Sequence, residues 1–328
     1  MSFADIIGHD QLIGRMQGAL ERDRLAHAYI FEGPSGIGKA SVAKELAEAI
    51  LCETSKSNAC GRCDACMKFV HENHPDYLYI EPDGASIKNK QIEGFQEFVL
   101  TKPYDRDAKI VIIDRAESMT VSAQNRILKV LEEPPAYATI IFVTENGNGL
   151  LPTIRSRCQT VRMNRLSSSL IEQDLVDKKG LAPDLAKQCA AFADGSYGMA
   201  VHAAESEDFQ SLREAVENMA AGICSRKFMK ALDQAQFFED HKEDIDQLLN
   251  LLIGWFRDIV FIKGGYDHDL IRNRDRLSAL QTQASQLEYK EAVQAIERIE
   301  KAKRQVRAYV NLGLILETLI LDIQEGMK

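Results

Sequence analysis

The sequence predicts an α/β fold of the phosphate-loop type over its first half and helices alone over its second. Apolar, β-branched runs of strand length recur at residues 28–31, 77–80, 110–113 and 139–143. Helical stretches separate them, which implies a parallel sheet covered on both faces. A glycine-rich segment between the first run and a helix-patterned stretch supplies the loop. Strand signals stop after about Arg162.

In chain order, residues 11–22 read as a helix and 28–31 as a short buried strand entering the loop. Lys39–Leu51 places Val42, Leu46 and Ile50 at four-residue spacing, as a helix against a sheet requires. Residues 125–133 form a helix that must stop at Pro134-Pro135. Residues 167–198 give short helices broken by Gly180, Pro183 and Gly195. From about Glu207 the helices lengthen. One apolar stripe is Leu248, Leu249, Leu252, Trp255, Phe256 and Ile259; a second is Val293, Ile296 and Ile299; a third is Leu312, Leu316 and Leu319. Residues 263–276, with two glycines and mixed charge, read as a loop. The expected division is an α/β domain at 1–165, a small helical domain at 166–206 and an all-α domain at 207–328.

The 328 residues have 45% apolar and 27% charged side chains, the balance of an ordinary globular protein. No leader pattern is present, and the longest apolar stretch, residues 312–323, is interrupted and too short to span a bilayer. A cytoplasmic protein without membrane contact is expected. A net charge of −9 argues against DNA binding by the chain alone, because phosphate neutralisation needs a basic surface.

Gly33-Pro34-Ser35-Gly36-Ile37-Gly38-Lys39-Ala40 matches the phosphate-binding pattern G-x-x-x-x-G-K-[ST] except at its last position. Gly33, Gly36 and Gly38 let backbone N–H groups turn inward, and Lys39 reaches for terminal phosphates. Ala40 lacks the hydroxyl that holds Mg²⁺. Ser41 is turned about 100° away on a helix and does not replace it. Asp114, after the run 110–113, fits a metal-site carboxylate, with a helix N-cap as the rival reading. Arg115 stands where a hydrolytic site has an acid. The cradle remains, so ATP or ADP binding stays open while cleavage is not expected.

Cys52, Cys60, Cys63 and Cys66 supply four thiolates within fifteen residues, the number tetrahedral zinc needs. An iron–sulfur cluster and unligated thiols are the alternatives. His71 and His74 are then expected as plain surface residues.

The loop, His27-Ala28-Tyr29 before it, residues 125–135 and Thr153-Ile154-Arg155-Ser156-Arg157-Cys158-Gln159 together resemble the AAA+ clamp-loader family of bacterial DNA polymerase III. The four-cysteine insertion resembles its bacterial members. The resemblance covers the whole chain, strongly to about Cys158. It implies an AAA+ P-loop domain with a zinc module, a helical lid and a helical collar that oligomerises. It also implies tau/gamma and delta paralogues as partners, with the sliding clamp and primed DNA met through the complex. Within the family, a tau/gamma-type motor carries Lys-Thr, Asp-Glu and an arginine in a Gly-Ser-x-Arg stretch. This chain has Lys39-Ala40, Asp114-Arg115 and Gly195-Ser196-Tyr197-Gly198, all departures toward the delta-prime branch.

In that family the Ser-Arg-Cys triplet presents an arginine to ATP on the adjacent subunit, which assigns an arginine finger in trans to Arg157. A guanidinium there neutralises charge growing on the transferring phosphoryl group. Arg155, two positions back along a segment read as extended, faces the same side and stays a rival. The stretch Lys301, Lys303, Arg304 and Arg307 reads as the wet face of a collar helix beside Val306 and Val310, with DNA contact as the other option. The alternative function is an active AAA+ ATPase of the tau/gamma or branch-migration type.

Overall fold

The computed structural model describes residues 3–104, 107–206, 209–267, 270–307 and 311–326, with the side chain of Arg307 excepted. Val310, expected on the apolar stripe beside the basic helix face, therefore lies outside the described residues. The chain divides into two compact units, Met1–Asp174 with Gly195–Gly198, and Leu175–Asp194 with Met199–Lys328.

The first unit holds a sheet of five parallel strands: β1 (Ala28–Glu32), β2 (Tyr77–Ile80), β3 (Lys109–Ile113), β4 (Ala138–Thr144) and β5 (Gln159–Arg162), in spatial order β2-β3-β4-β1-β5. Its helices are α1 (Asp10–Glu21), α2 (Lys39–Leu51), α3 (Asp64–Val70), α4 (Asn89–Leu100), α5 (Val121–Glu132), α6 (Pro152–Arg155) and, crossing the division, α7 (Ser168–Asp177). Alternation along the strands feeds two cores. Tyr29, Phe31, Ile110, Ile112, Ile141 and Val143 pack with α1 and α2 on one face. Ala28, Ile30, Val111, Ile113, Ile140 and Phe142 pack with α4, α5 and α6 on the other. Burial on both sides explains why β3 and β4 are apolar at nearly every position.

The second unit is helical among its described residues: α8 (Pro183–Ala193), α9 (Tyr197–Glu205, whose first two residues belong to the first unit), α10 (Phe209–Cys224), α11 (Phe228–Asp240), α12 (Ile245–Lys263), α13 (Leu277–Ser285), α14 (Tyr289–Arg307) and α15 (Leu312–Glu325). The α12 stripe is buried in full, and Trp255 donates its indole N–H to Gln283 Oε1 at 2.7 Å. On α14 the expected stripe is displaced. Ala292, Ala295, Ile299 and Ala302 are buried, whereas Val293 and Ile296 are half-buried. Small side chains take the closest approach. On α15, Leu316 and Leu319 are buried and Leu312 is half-buried. On the expected basic face of α14, Lys301 and Arg304 are exposed and lie 3.8 Å from Asp322 and 3.9 Å from Glu300, whereas Lys303 is half-buried and donates to Asn250 Oδ1 at 2.6 Å. No described helix is long and apolar enough to cross a membrane.

Candidate phosphate-loop site, finger and thiolate cluster

The loop leaves β1 at Glu32 and enters α2 at Lys39, with Gly36 at φ +70° and Gly38 at φ +95°. Only glycine takes such angles without strain. Gly33 lies against the carbonyl of Met163 and the side chain of Ile37, where a Cβ would not fit. The Lys39 ammonium folds back onto the loop, donating to the carbonyls of Gly33 (2.7 Å) and Pro34 (2.6 Å). Burial lowers its pKa, opposed by the negative charges of Glu145, Glu117 and Asp114.

A cavity of about 340 Å³ opens over the loop, bordered by Gly36, Gly38, Lys39, Ala40, Asp114 and Arg115, among others. Ser41 borders it too, although one position late for the motif. Ala40 brings no oxygen. Asp114 is already engaged, accepting from Tyr79 Oη at 2.9 Å and from the Arg115 amide at 2.9 Å. Arg115 sits at φ +46°, a left-handed backbone that sets it on the cavity rim. Glu117 and Glu145 complete the rim, and the Glu145 amide donates to Glu117 Oε1 at 3.2 Å. Two cationic side chains thus face three carboxylates around this cavity.

Two further features bear on this site: the stretch that the sequence marked only for its missing arginine, and a tie that has no motif. The Gly198 amide donates to the Gly36 carbonyl at 2.8 Å, so the 195–198 turn closes over the loop; a Cβ on Gly198 would come within 3.3 Å of Gly36. The neighbouring Tyr197 hydroxyl donates to Asp174 Oδ2 at 2.5 Å. Gly195 at φ +80° is the local signal that this turn is special. Glu32 Oε1 also accepts from the Gly147 amide at 3.0 Å, tying the end of β1 to the loop after β4.

Arg157 is not among the described residues around that cavity. It follows α6, and Nη2 donates to Glu132 Oε1 at 2.8 Å while Nη1 donates to the Thr153 carbonyl at 2.9 Å. Residues 152–155 are a helical turn begun by Pro152, not an extended segment. The same-side argument for Arg155 therefore fails, and Arg155 instead bonds Asn148 Oδ1 at 2.9 Å.

The sulfurs of Cys52, Cys60, Cys63 and Cys66 all lie within 4.8 Å of one another, with Cys60 and Cys66 3.9 Å apart. Zn–S bonds of about 2.3 Å in a tetrahedron place sulfurs about 3.8 Å apart, so the set fits a four-thiolate ion. Backbone amides prepare the thiolates. Cys63 N donates to Cys60 Sγ (3.3 Å) and Cys66 N to Cys63 Sγ (3.4 Å). The Thr54 hydroxyl, then the Arg62 and Cys63 amides, draw the Cys60 thiol down to about 5, whereas burial and Cys63 push Cys66 up. Four ligands leave no open position, which suits a structural metal. His71 is exposed as expected, but His74 is 4% exposed and accepts from the Asp76 amide at 3.1 Å. A turn before β2 needed an internal acceptor, and spacing from the cysteines could not reveal it.

A phosphate-loop sheet, a four-thiolate insertion ahead of β2 and a helical second half define a clamp-loader subunit of the AAA+ class. A family model described as "DNA polymerase III, delta subunit" matches residues 8–167, and its C-terminal counterpart matches 209–325. The Bacillus subtilis (strain 168) DNA polymerase III subunit delta' is 32% identical over 314 residues, covering 95% of this chain and 94% of that protein. The chain belongs to the DNA polymerase III delta′ family. A Pseudomonas aeruginosa subunit delta' is 37% identical over 158 residues, 47% of this chain and 48% of that one. The B. subtilis subunit tau is 28% identical over 284 residues, 80% of this chain and 50% of that one.

Proposed function

We propose that this clamp-loader subunit does not cleave ATP itself and lends Arg157 to ATP held by a neighbouring tau/gamma-type paralogue. In that arrangement the assembly, completed by a delta-type subunit, places the sliding clamp on primed DNA in the cytoplasm. One observation carries the reading. Its own loop cavity has lost both hydrolytic groups, at Ala40 and Arg115, while a guanidinium is held ready outside that cavity. A polyphosphate without a well-held divalent cation would meet three carboxylates against two cations there. Charge developing on a transferring phosphoryl group instead gains from an arginine supplied next door, an effect worth roughly 10³–10⁵ in rate. Cys52, Cys60, Cys63 and Cys66 hold a structural zinc that ties the module ahead of α3 to the end of α2. The lid and collar follow at 166–206 and 207–328, the collar joining the paralogues.

The test is steady-state ATP hydrolysis by the chain alone and by the complex reconstituted with tau/gamma and delta paralogues. The chain alone is expected to turn over no ATP, and Arg157→Ala is expected to slow the complex while assembly survives. The retained Lys39, with Ser41 on the cavity border, favours a second reading, an active ATPase. Turnover by the isolated chain that Lys39→Ala abolishes would establish it.

A further inference from the structure

The proposed finger is pinned within its own chain, most closely at two points. Glu132, the last residue of α5, takes Nη2 of Arg157, and the Thr153 carbonyl of α6 takes Nη1. Pro134 and Pro135 stop α5 directly beyond Glu133, which fixes where that carboxylate stands. The two holders are themselves joined. Gln124 of α5, 3% exposed, donates to the Gly149 carbonyl (3.1 Å) and accepts from the Leu151 amide (2.8 Å), on the segment that leads into α6. The guanidinium therefore rests on a braced frame of α5 and α6.

We infer that Glu132 is the positioning residue for the trans-acting arginine, an inference that rests on the finger reading of Arg157. An unrestrained arginine loses much rotamer freedom when it reaches a phosphate, and a pin already in place removes that loss before the neighbour arrives. The pin does not exhaust the group. A guanidinium has five N–H donors, and the contacts to Glu132, Thr153 and Ser156 leave others for phosphate oxygens. The pair is solvated, with side chains 34% and 51% exposed. Its grip is modest, so a phosphate can share the guanidinium or draw it forward.

The test compares Glu132→Ala, Glu132→Gln, Arg157→Ala and the double variant Glu132→Ala/Arg157→Ala in the reconstituted complex, by kcat and KM for ATP. Thermal melting checks that each variant chain is folded. Glu132→Ala is expected to lower kcat roughly threefold with KM unchanged. Glu132→Gln, which keeps the acceptor oxygen, is expected to recover most of that loss. In the Arg157→Ala background, Glu132→Ala is expected to add nothing. Normal turnover with Arg157→Ala removes the finger reading itself. Slowed turnover with Arg157→Ala but normal turnover with Glu132→Ala removes only the role of Glu132. An equal loss from Glu132→Ala in both backgrounds shows that it acts through the fold and overturns the inference, as does faster turnover, which marks a restraint.

Discussion

Helix α2 carries two acids that the fold does not expose. Glu45 and Glu48 are each 3% exposed, and Glu45 Oε2 and Glu48 Oε1 find no hydrogen-bond partner among the described residues. Burial, with the charge of Glu48 behind it, pushes the Glu45 carboxyl from 4.5 up to about 7. A raised folded-state value means that the stability this group permits is complete below its unfolded value and is lost as pH rises through its folded value. The perturbation is Glu45→Gln, a neutral side chain of the same shape. The full shift, 7 minus 4.5, corresponds to about 3 kcal/mol at high pH, an upper figure because water and neighbouring charges relax around the site. From the same two values the variant's advantage is about 1 kcal/mol near pH 5 and grows by about 2 kcal/mol by pH 8.5. Urea unfolding of both proteins at the two pH values measures this, and titrations common to both cancel in the difference. Parallel stability profiles, or a variant less stable than its parent at about pH 8.5, would refute the argument.

Three further outcomes are expected. Elemental analysis should find about one metal ion per chain, and Cys66→Ser should abolish it and lower the melting temperature, because a four-thiolate metal site contributes folding energy directly. Gln283→Leu should orphan the indole N–H of Trp255 and cost about 1–3 kcal/mol in urea. Trp255 is the chain's single tryptophan, so its fluorescence reports that unfolding directly. Phe142→Ala, at a fully buried position of β4, should cost about 3–5 kcal/mol through the cavity it leaves, measured by the shift in denaturation midpoint.

The strands with two buried faces were legible because burial fills nearly all their positions with apolar residues. β3 and β4 are the clearest examples. β5 was not, since Gln159, Thr160 and Arg162 are exposed on an edge strand and carry no apolar run. α3 escaped because its N-cap Cys63 and its Cys66 read as ligands before they read as helix. The thiolate cluster and the phosphate loop were legible because their chemistry demands fixed spacings. The partners of Arg157 were not: Glu132 lies 25 positions away, and the bond depends on how α5 and α6 pack. The stretch Gly195–Gly198 was legible as a motif without its arginine, but its closure over the loop was not, since that is a backbone bond from Gly198 to Gly36 set by packing.

The fit of Gly33 beneath the Met163 carbonyl means that the opening glycine of the loop is demanded by carpentry as well as by anions. The joint where β1 hands over to α2 would jam with any larger residue there, whether or not a nucleotide ever arrived. Such a lineage can shed its fuel and still spell the same opening letter, so the signature alone counts scaffolds together with engines.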